Sequence, residues 1–484
     1  MADRSRAGIE MNFTFGKRRE PKAADPESPM RLLVIGDFGG HATRQEVRQI
    51  ADLRPQKVDI DSLPSLLAKI APQIRVCLGS EAPFSIAVGT FDDFHPDQLF
   101  SSLDFFKPMR ELRRQLQDPR TFAQAAALVG SVAAHPAATP VEVAAHGDDL
   151  QRLLGRAPTP EPPKPASVVD ALVQQAVGSN VVAKADPRQA EVIAGVDGMT
   201  GELMRAVLHD SGFQSVEAAW RGLDRLVRAL NLDETLQLFV LDASRAELGA
   251  DFAASPNLAD SGMYGLLVDR VGDNPWSVIA STHAYVRGQE DAALLARLGT
   301  LAQQVEAAVV VGMDFTATSQ PFASMEDERA WLALRDSTAA TSIAVAAPSV
   351  LLRLPYGKGG EVVENFVFTE QSTPPALGRC LWGSSALVVA QLMAAAYSQA
   401  GGWDFALGDE SAVDDLPTYI TNLDGESVQA PCGQAWLPES RIEALLKEGV
   451  IPIVSARGRG EVRVARFQSI ASPPAALIGR WRND

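Results

Sequence analysis

Gln237-Leu-Phe-Val-Leu-Asp242 and, further along, Trp276-Ser-Val-Ile-Ala280 are short, mostly apolar runs too brief for helices. Runs of this length read as buried strands. After them the apolar spacing becomes helical over Asp291–Gln304 and Glu326–Arg335, with strand-like runs at Ala307–Val311 and Ser342–Ala346. Strand and helix in alternation predict a mostly parallel α/β sheet. Further strands are expected at Ile451–Ser455 and Val462–Phe467.

Upstream of this core, Glu191–Leu230 has helical periodicity interrupted near Ser211-Gly212. Within it Val216, Trp220, Leu223 and Val227 share one face, so the indole is expected in the core. Ser167–Ala176 reads as a capped amphipathic helix. Before that, residues 131–166 are rich in alanine and proline and end in Ala157-Pro-Thr-Pro-Glu-Pro-Pro-Lys-Pro165, which favours stiff extended geometry and excludes a helix. A boundary is placed there. The N-terminal part begins with apolar alternation at Met11, Phe13 and Phe15, and then a charged, proline-rich connector. Arg31–Ile35 follows as a buried strand entering the turn Gly36-Asp-Phe-Gly-Gly40. A helix over Asp61–Ile70, paired strands at Ile74–Leu78 and Phe84–Val88, and a helix over Pro96–Leu116 complete a small α+β unit. The predicted organisation is residues 1–130, a linker over 131–166, a helical lead-in over 167–235 and an α/β core over 236–484.

The chain has 484 residues, 46% hydrophobic and 21% charged, enough apolar surface for several globular units. Lysine and arginine total 44 against 60 acidic residues, a net charge of −16, which disfavours nucleic acid as a partner. Cys77, Cys380 and Cys432 are odd in number and far apart, so neither a disulfide framework nor a zinc site is expected. No apolar signal core follows Met1, and the longest apolar helix candidate, Ala386–Tyr397, is too short to span a bilayer. Membrane insertion is not expected, and the expected location is cytoplasmic.

The sequence carries no recognisable constellation for catalysis. Asp37-Phe38-Gly39 copies the magnesium-binding tripeptide of kinases but lacks the phosphate loop and catalytic loop that chemistry needs. Gly357, Gly359 and Gly360 miss the lysine and hydroxyl spacing of a nucleotide loop. His41, His95, His135, His146, His209 and His283 are isolated from one another along the chain, and no Gly-x-Ser-x-Gly elbow occurs. No catalytic residue, cofactor or metal set is therefore assigned, and the chain reads as no enzyme.

The helix Phe213-Gln-Ser-Val-Glu-Ala-Ala-Trp220-Arg221-Gly222-Leu223 closely resembles a signature of the large contractile-sheath subunit of type VI secretion systems (TssC/VipB-like). Gly265-Leu-Leu-Val-Asp269, Trp331-Leu-Ala-Leu-Arg335, Pro348-Ser-Val-Leu-Leu-Arg353-Leu-Pro-Tyr356-Gly357, Leu381-Trp382-Gly383 and Gly402-Trp403 follow in the family's order. The first unit resembles the small sheath subunit (TssB/VipA-like) through Met30–Phe38, Val58-Asp-Ile-Asp61 and Phe91-Asp-Asp-Phe94-His-Pro-Asp97.

The resemblance implies a fused protomer whose function is in its surfaces: self-association into rings or tubes, and contact with sheath, inner-tube or baseplate proteins. Phe13, Phe15, Asp37, Phe38, Phe94, Trp220, Arg221, Arg353, Tyr356 and Trp382 are the implied assembly and packing residues. Val168, Val169 and Leu172 resemble the start of a helix that recruits a ClpV-type disassembly ATPase. Two departures stand out. The chain stops soon after Phe467, where the family continues through further strands that interlock protomers, so a paralogue that caps, nucleates or regulates assembly is the alternative reading. Leu377-Gly-Arg379-Cys380 also replaces the family's His-Glu-Asp-Tyr-like run.

Overall fold

The computed structural model describes residues 28–79, 82–133, 186–272, 274–371, 377–408, 411–423 and 426–481. The expected amphipathic helix at Ser167–Ala176 lies outside them, as does the linker apart from its first residues. Two compact units emerge, one of residues 1–103 with 201–484 and the other of residues 104–200.

In chain order the strands of the larger unit are β1 (Met30–Gly36), β2 (Gln56–Val58), β3 (Gln73–Val76), β4 (Phe84–Ala87) and β5 (Leu236–Asp242). β6 (Val278–Tyr285), β7 (Ala308–Met313), β8 (Ile343–Ala347), β9 (Val350–Leu351) and β10 (Trp382–Gly383) follow. Last come β11 (Ala412–Val413), β12 (Ile420–Leu423), β13 (Glu426–Gln429), β14 (Val450–Ser455) and β15 (Val462–Val464). Nine of them form one sheet in the order β11-β15-β14-β8-β7-β6-β1-β5-β2. The run from β14 to β5 is parallel; β2, β15 and β11 are antiparallel at the edges.

The position of β1 departs from the expected organisation. Read in sequence as part of a small separate unit, it lies instead near the middle of the sheet, paired over its whole length with β5 and over Leu32–Ile35 with β6. The reason is its composition. Leu32, Leu33 and Val34 are fully buried, so the strand has no solvated face and needs neighbours on both edges and cover on both faces.

One face of the sheet contributes Leu33, Ile35, Ile279, Val309, Val311 and Val345 to a core shared with the helices Gln289–Gln304 and Met325–Asp336. The helix Ser385–Ala400 packs on β6, β7 and β8 and against the helix Ser211–Ala229. Gly299 has no side chain because a Cβ would meet Ile343 Cδ1 at 2.6 Å, which lets helix and sheet approach closely.

The expected helix over Pro96–Leu116 is two helices, Pro96–Ser102 and Lys107–Gln117. Pro108, which cannot donate from a helix interior, starts the second one. The interruption foreseen near Ser211 is real. There the Asp210 side chain caps a new helix by accepting from Phe213 N–H at 2.9 Å.

In the smaller unit, Leu116, Phe122, Ala125 and Val196 form a core between the helices Lys107–Gln117, Phe122–Ala133 and the part of Gln189–Leu208 up to Thr200. Arg113 Nε donates to Asp197 at 2.8 Å. Residues 131–133, assigned to the linker on composition, continue the second helix. No described helix is long and apolar enough to cross a membrane.

Candidate functional site

The turn after β1 is built to be gripped. Asp37 accepts from the N–H groups of His41 (2.7 Å) and Ala42 (2.8 Å), which curls Phe38–Gly40 over the sheet end. Gly40 has φ 73°, a left-handed backbone that glycine adopts without strain, and a Cβ there would meet Gln73 O at 2.9 Å. The turn presents Phe38 to the helix Ser211–Ala229. Trp220 Nε1 donates to Phe38 O at 2.9 Å, and the two rings meet edge to face at 5.2 Å. Both side chains are fully buried.

On its other flank the turn is tied to the end of β5. Asp242 Oδ1 accepts from Gly39 N–H at 2.8 Å, and its Oδ2 accepts from Arg48 Nη1 at 3.0 Å and lies 3.0 Å from His41 Nε2. Arg48 also donates to Glu247, whose carboxylate closes a capping box with Ser244. Burial opposes ionisation of Asp242, but His41 and Arg48 hold its carboxyl below the usual range. Asp37 goes the other way. Burial raises it, and the two N–H donors offset only part of that.

A second buried cluster lies around Arg353. Its Nε donates to Glu217 at 2.8 Å and its Nη1 to Glu370 at 2.7 Å, and its guanidinium sits 4.1 Å from the Tyr356 ring centre. Glu217 also accepts from Arg221 Nε at 2.7 Å, and Arg221 Nη2 reaches the Tyr356 hydroxyl at 3.0 Å. Glu217 and Glu370 are buried. Burial pushes the pKa of Glu370 up, but His209, 3.4 Å away, and Arg353 outweigh it and hold the carboxyl below its usual range. The N-terminal segment reaches this cluster through His95, whose ring meets Tyr356 edge to face at 5.0 Å. Phe94 meets Phe213 at 5.8 Å.

This arrangement suits holding rather than reacting. Asp37, His41 and Asp242 are the group among the described residues whose ligand atoms, within 4.8 Å of one another, could take a metal. Arg48 already places a positive charge on Asp242, which fits a divalent cation poorly. In open α/β sheets ligands bind beyond the carboxyl ends of the strands. Here that end is occupied by the chain itself. A Cβ on Gly36 would meet Thr282 Oγ1 at 2.3 Å, and half-buried His283, its pKa pushed by desolvation down to about 4, has Nε2 3.0 Å from Ala243 O.

The seam thus joins residues 28–103 to residues 201–481 by shared strands and by two polar clusters. A family model described as "EvpB/VC_A0108, tail sheath N-terminal domain" matches residues 190–472, more than half of the chain. The chain belongs to the tail sheath family. A second model, "Type VI secretion system, VipA, VC_A0107 or Hcp2", matches residues 4–127, so one tail sheath chain carries both segments in order. It is similar to the type VI secretion system sheath protein TssC1 of Pseudomonas aeruginosa, 26% identical over 306 residues, which is 58% of this chain and 61% of that protein. The chain therefore spans less than two thirds of the length of this relative.

Of the residues singled out in the sequence, Asp37, Phe38, Phe94, Trp220, Arg221, Arg353 and Tyr356 all lie on this seam. Trp382 does not; it is half-buried in β10, opposite Leu351 of β9. Phe13, Phe15, Val168, Val169 and Leu172 lie outside the described residues. Sequence reading missed Glu217, Glu370, Arg48 and Asp242. Glu217 stands four residues before Arg221 in the quoted helix, a pairing that helical spacing makes visible. Glu370 carries no local signal.

Proposed function

We propose that the chain is a fused sheath protomer of a type VI secretion system or related contractile injection apparatus, assembling with copies of itself around or beside a tube. The observation that carries this reading is the shared sheet: β1 and β2, from the stretch matched by the VipA model, pair with β5 and β6 from the stretch matched by the sheath model. Two sheath segments thereby share one sheet in fixed one-to-one ratio, and fusion makes their pairing intramolecular at an effective concentration that reaches about the millimolar range. The occupied sheet end supports a part that works through its surfaces and catalyses no reaction. Partners in this reading are sheath, inner-tube or baseplate proteins and a ClpV-type ATPase.

Electron microscopy of the purified full chain is the test. Rings or tubes are expected; monodisperse monomers under all polymerising conditions, without binding to sheath, tube or baseplate components, would overturn the reading.

A further inference from the structure

The stretch from Gly357 to Thr369 has no regular secondary structure, yet its backbone is tied at three places. At its base Tyr356 N–H donates to the Glu370 carboxylate at 2.8 Å and Glu370 N–H returns a bond to Tyr356 O at 2.9 Å. Within it Gly357 N–H donates to Glu361 O at 2.7 Å, and Gly357 itself has φ 95° with Phe368 O only 2.5 Å from where a Cβ would stand. Midway, Asp97 accepts from the N–H groups of Glu364 (2.9 Å) and Asn365 (2.8 Å). Phe366 and Phe368 turn inward, Phe366 packing on Phe100 at 4.8 Å. Single exposed apolar residues are ordinary. This loop instead holds two of the most exposed aliphatic side chains among the described residues, Val362 at 68% and Val367 at 79%, on a fixed frame beside the acids Glu361 and Glu364.

Elsewhere in the same unit is a cavity of about 680 Å³, a size that takes a small group of side chains. Its lining is mostly apolar and includes Leu446, Phe467 and Trp481, and exposed Lys447 and Arg466 line it against one acid among the described residues, Glu443. Among the described residues neither cation has a carboxylate within ion-pair distance. The loop offers apolar tips flanked by acids; the cavity offers an apolar floor flanked by cations.

We infer that the loop Gly357–Thr369 of one copy docks into the cavity beside Lys447 and Arg466 of a second copy. The inference rests on the assembly reading above and adds to it a named contact. Because loop and cavity are different surfaces, the contact is head-to-tail. Repeated, such a contact makes a ring or an open helical array. Ordering costs are low on the loop side, since its backbone is fixed before docking.

The test is site-specific cross-linking of full chains with a bismaleimide, in a Cys77→Ser background that removes the exposed native thiol. One chain carries Val362→Cys and a second carries Ala476→Cys, an exposed position on the cavity wall; Val47→Cys, on a residue 57% exposed elsewhere, replaces Val362→Cys as control. Circular dichroism melts establish that each variant is folded. Dimers are expected from the mixed pair well above the control. Adding Lys447→Glu with Arg466→Glu to the cavity chain should lower the yield roughly tenfold, and Glu361→Lys with Glu364→Lys on the loop chain should restore it. Tubes without cross-linking above control overturn the contact and leave the sheath reading standing. Cross-linking that follows the charge swap in a protein that forms no tubes or larger rings and binds no sheath, tube or baseplate component upholds the contact, closed on itself as a reciprocal pair, and sinks the sheath reading; neither assembly nor cross-links sinks both.

Discussion

Trp220 shows how one side chain can serve both segments at once. Its indole is buried in the core of the C-terminal segment, and its single N–H donor is used on Phe38 O of the other. Trp220→Ala should therefore cost about 3 to 5 kcal/mol, read as a lowered urea midpoint of the full chain; a loss below about 1 kcal/mol would mean that the seam does not depend on it. His41 gives the seam a pH response. Burial opposes its charge, but the hydrogen bond and field of Asp242, helped by Glu46 and against the nearby Arg48, raise its pKa above the ordinary value. A group whose pKa is higher folded than unfolded stabilises the fold while protonated. That contribution is complete below about pH 6.5 and fades as pH rises through the higher folded pKa. The urea midpoint should fall from about pH 6 to about pH 8, and His41→Gln should flatten the slope; equal slopes in the two proteins would dismiss this role. The ordinary signals of sequence reading reached Trp220 through helical spacing, and missed Asp242 because an aspartate ending a strand looks the same whether or not an arginine meets it.

Among elements, the loop carrying Arg353 is held by buried polar contacts. Arg353 bridges Glu217 on a helix to Glu370 at the far end of its own loop, and burying all three leaves each dependent on the others. Removing one partner of a buried pair costs about 3 to 5 kcal/mol, because the remaining charge stays in the interior. Arg353→Leu should lose that much in a denaturation curve. Arg353→Lys should recover little of it, since one ammonium cannot span two carboxylates as the planar fork does. Full recovery by lysine would show that charge alone matters there. The broken helix at Lys107 belongs to this scale too: its apolar periodicity runs through the break, and only Pro108 marks it.

At the scale of the whole molecule, β1 near the middle of a nine-stranded sheet joins residues 28–103 of one family-matched stretch to residues 201–472 of the other within one compact unit. A protease site inserted between residues 133 and 186 and cut in the folded chain should leave the two pieces together through size-exclusion chromatography, separating only in denaturant. Pieces that part under native conditions would show that the shared sheet does not hold them.

Local pattern alone determined the strands at β5 to β8, the helices Gln289–Gln304 and Met325–Asp336, the mostly parallel sheet, and the helix of Trp220, because burial on two faces and on one stripe leaves different periodicities. The ordered motifs around Trp220, Arg353 and Tyr356 pointed to the sheath family. Tertiary structure alone decided that β1 inserts between β5 and β6, that Asp242 receives His41 and Arg48, and that Glu370 closes the Arg353 loop. Strand pairing joins backbones that carry no side-chain code for their partner, and ion pairs 17 residues apart, as at Arg353 and Glu370, or 201, as at His41 and Asp242, leave no helical or strand spacing to read. Both are settled only when packing brings distant stretches into one core.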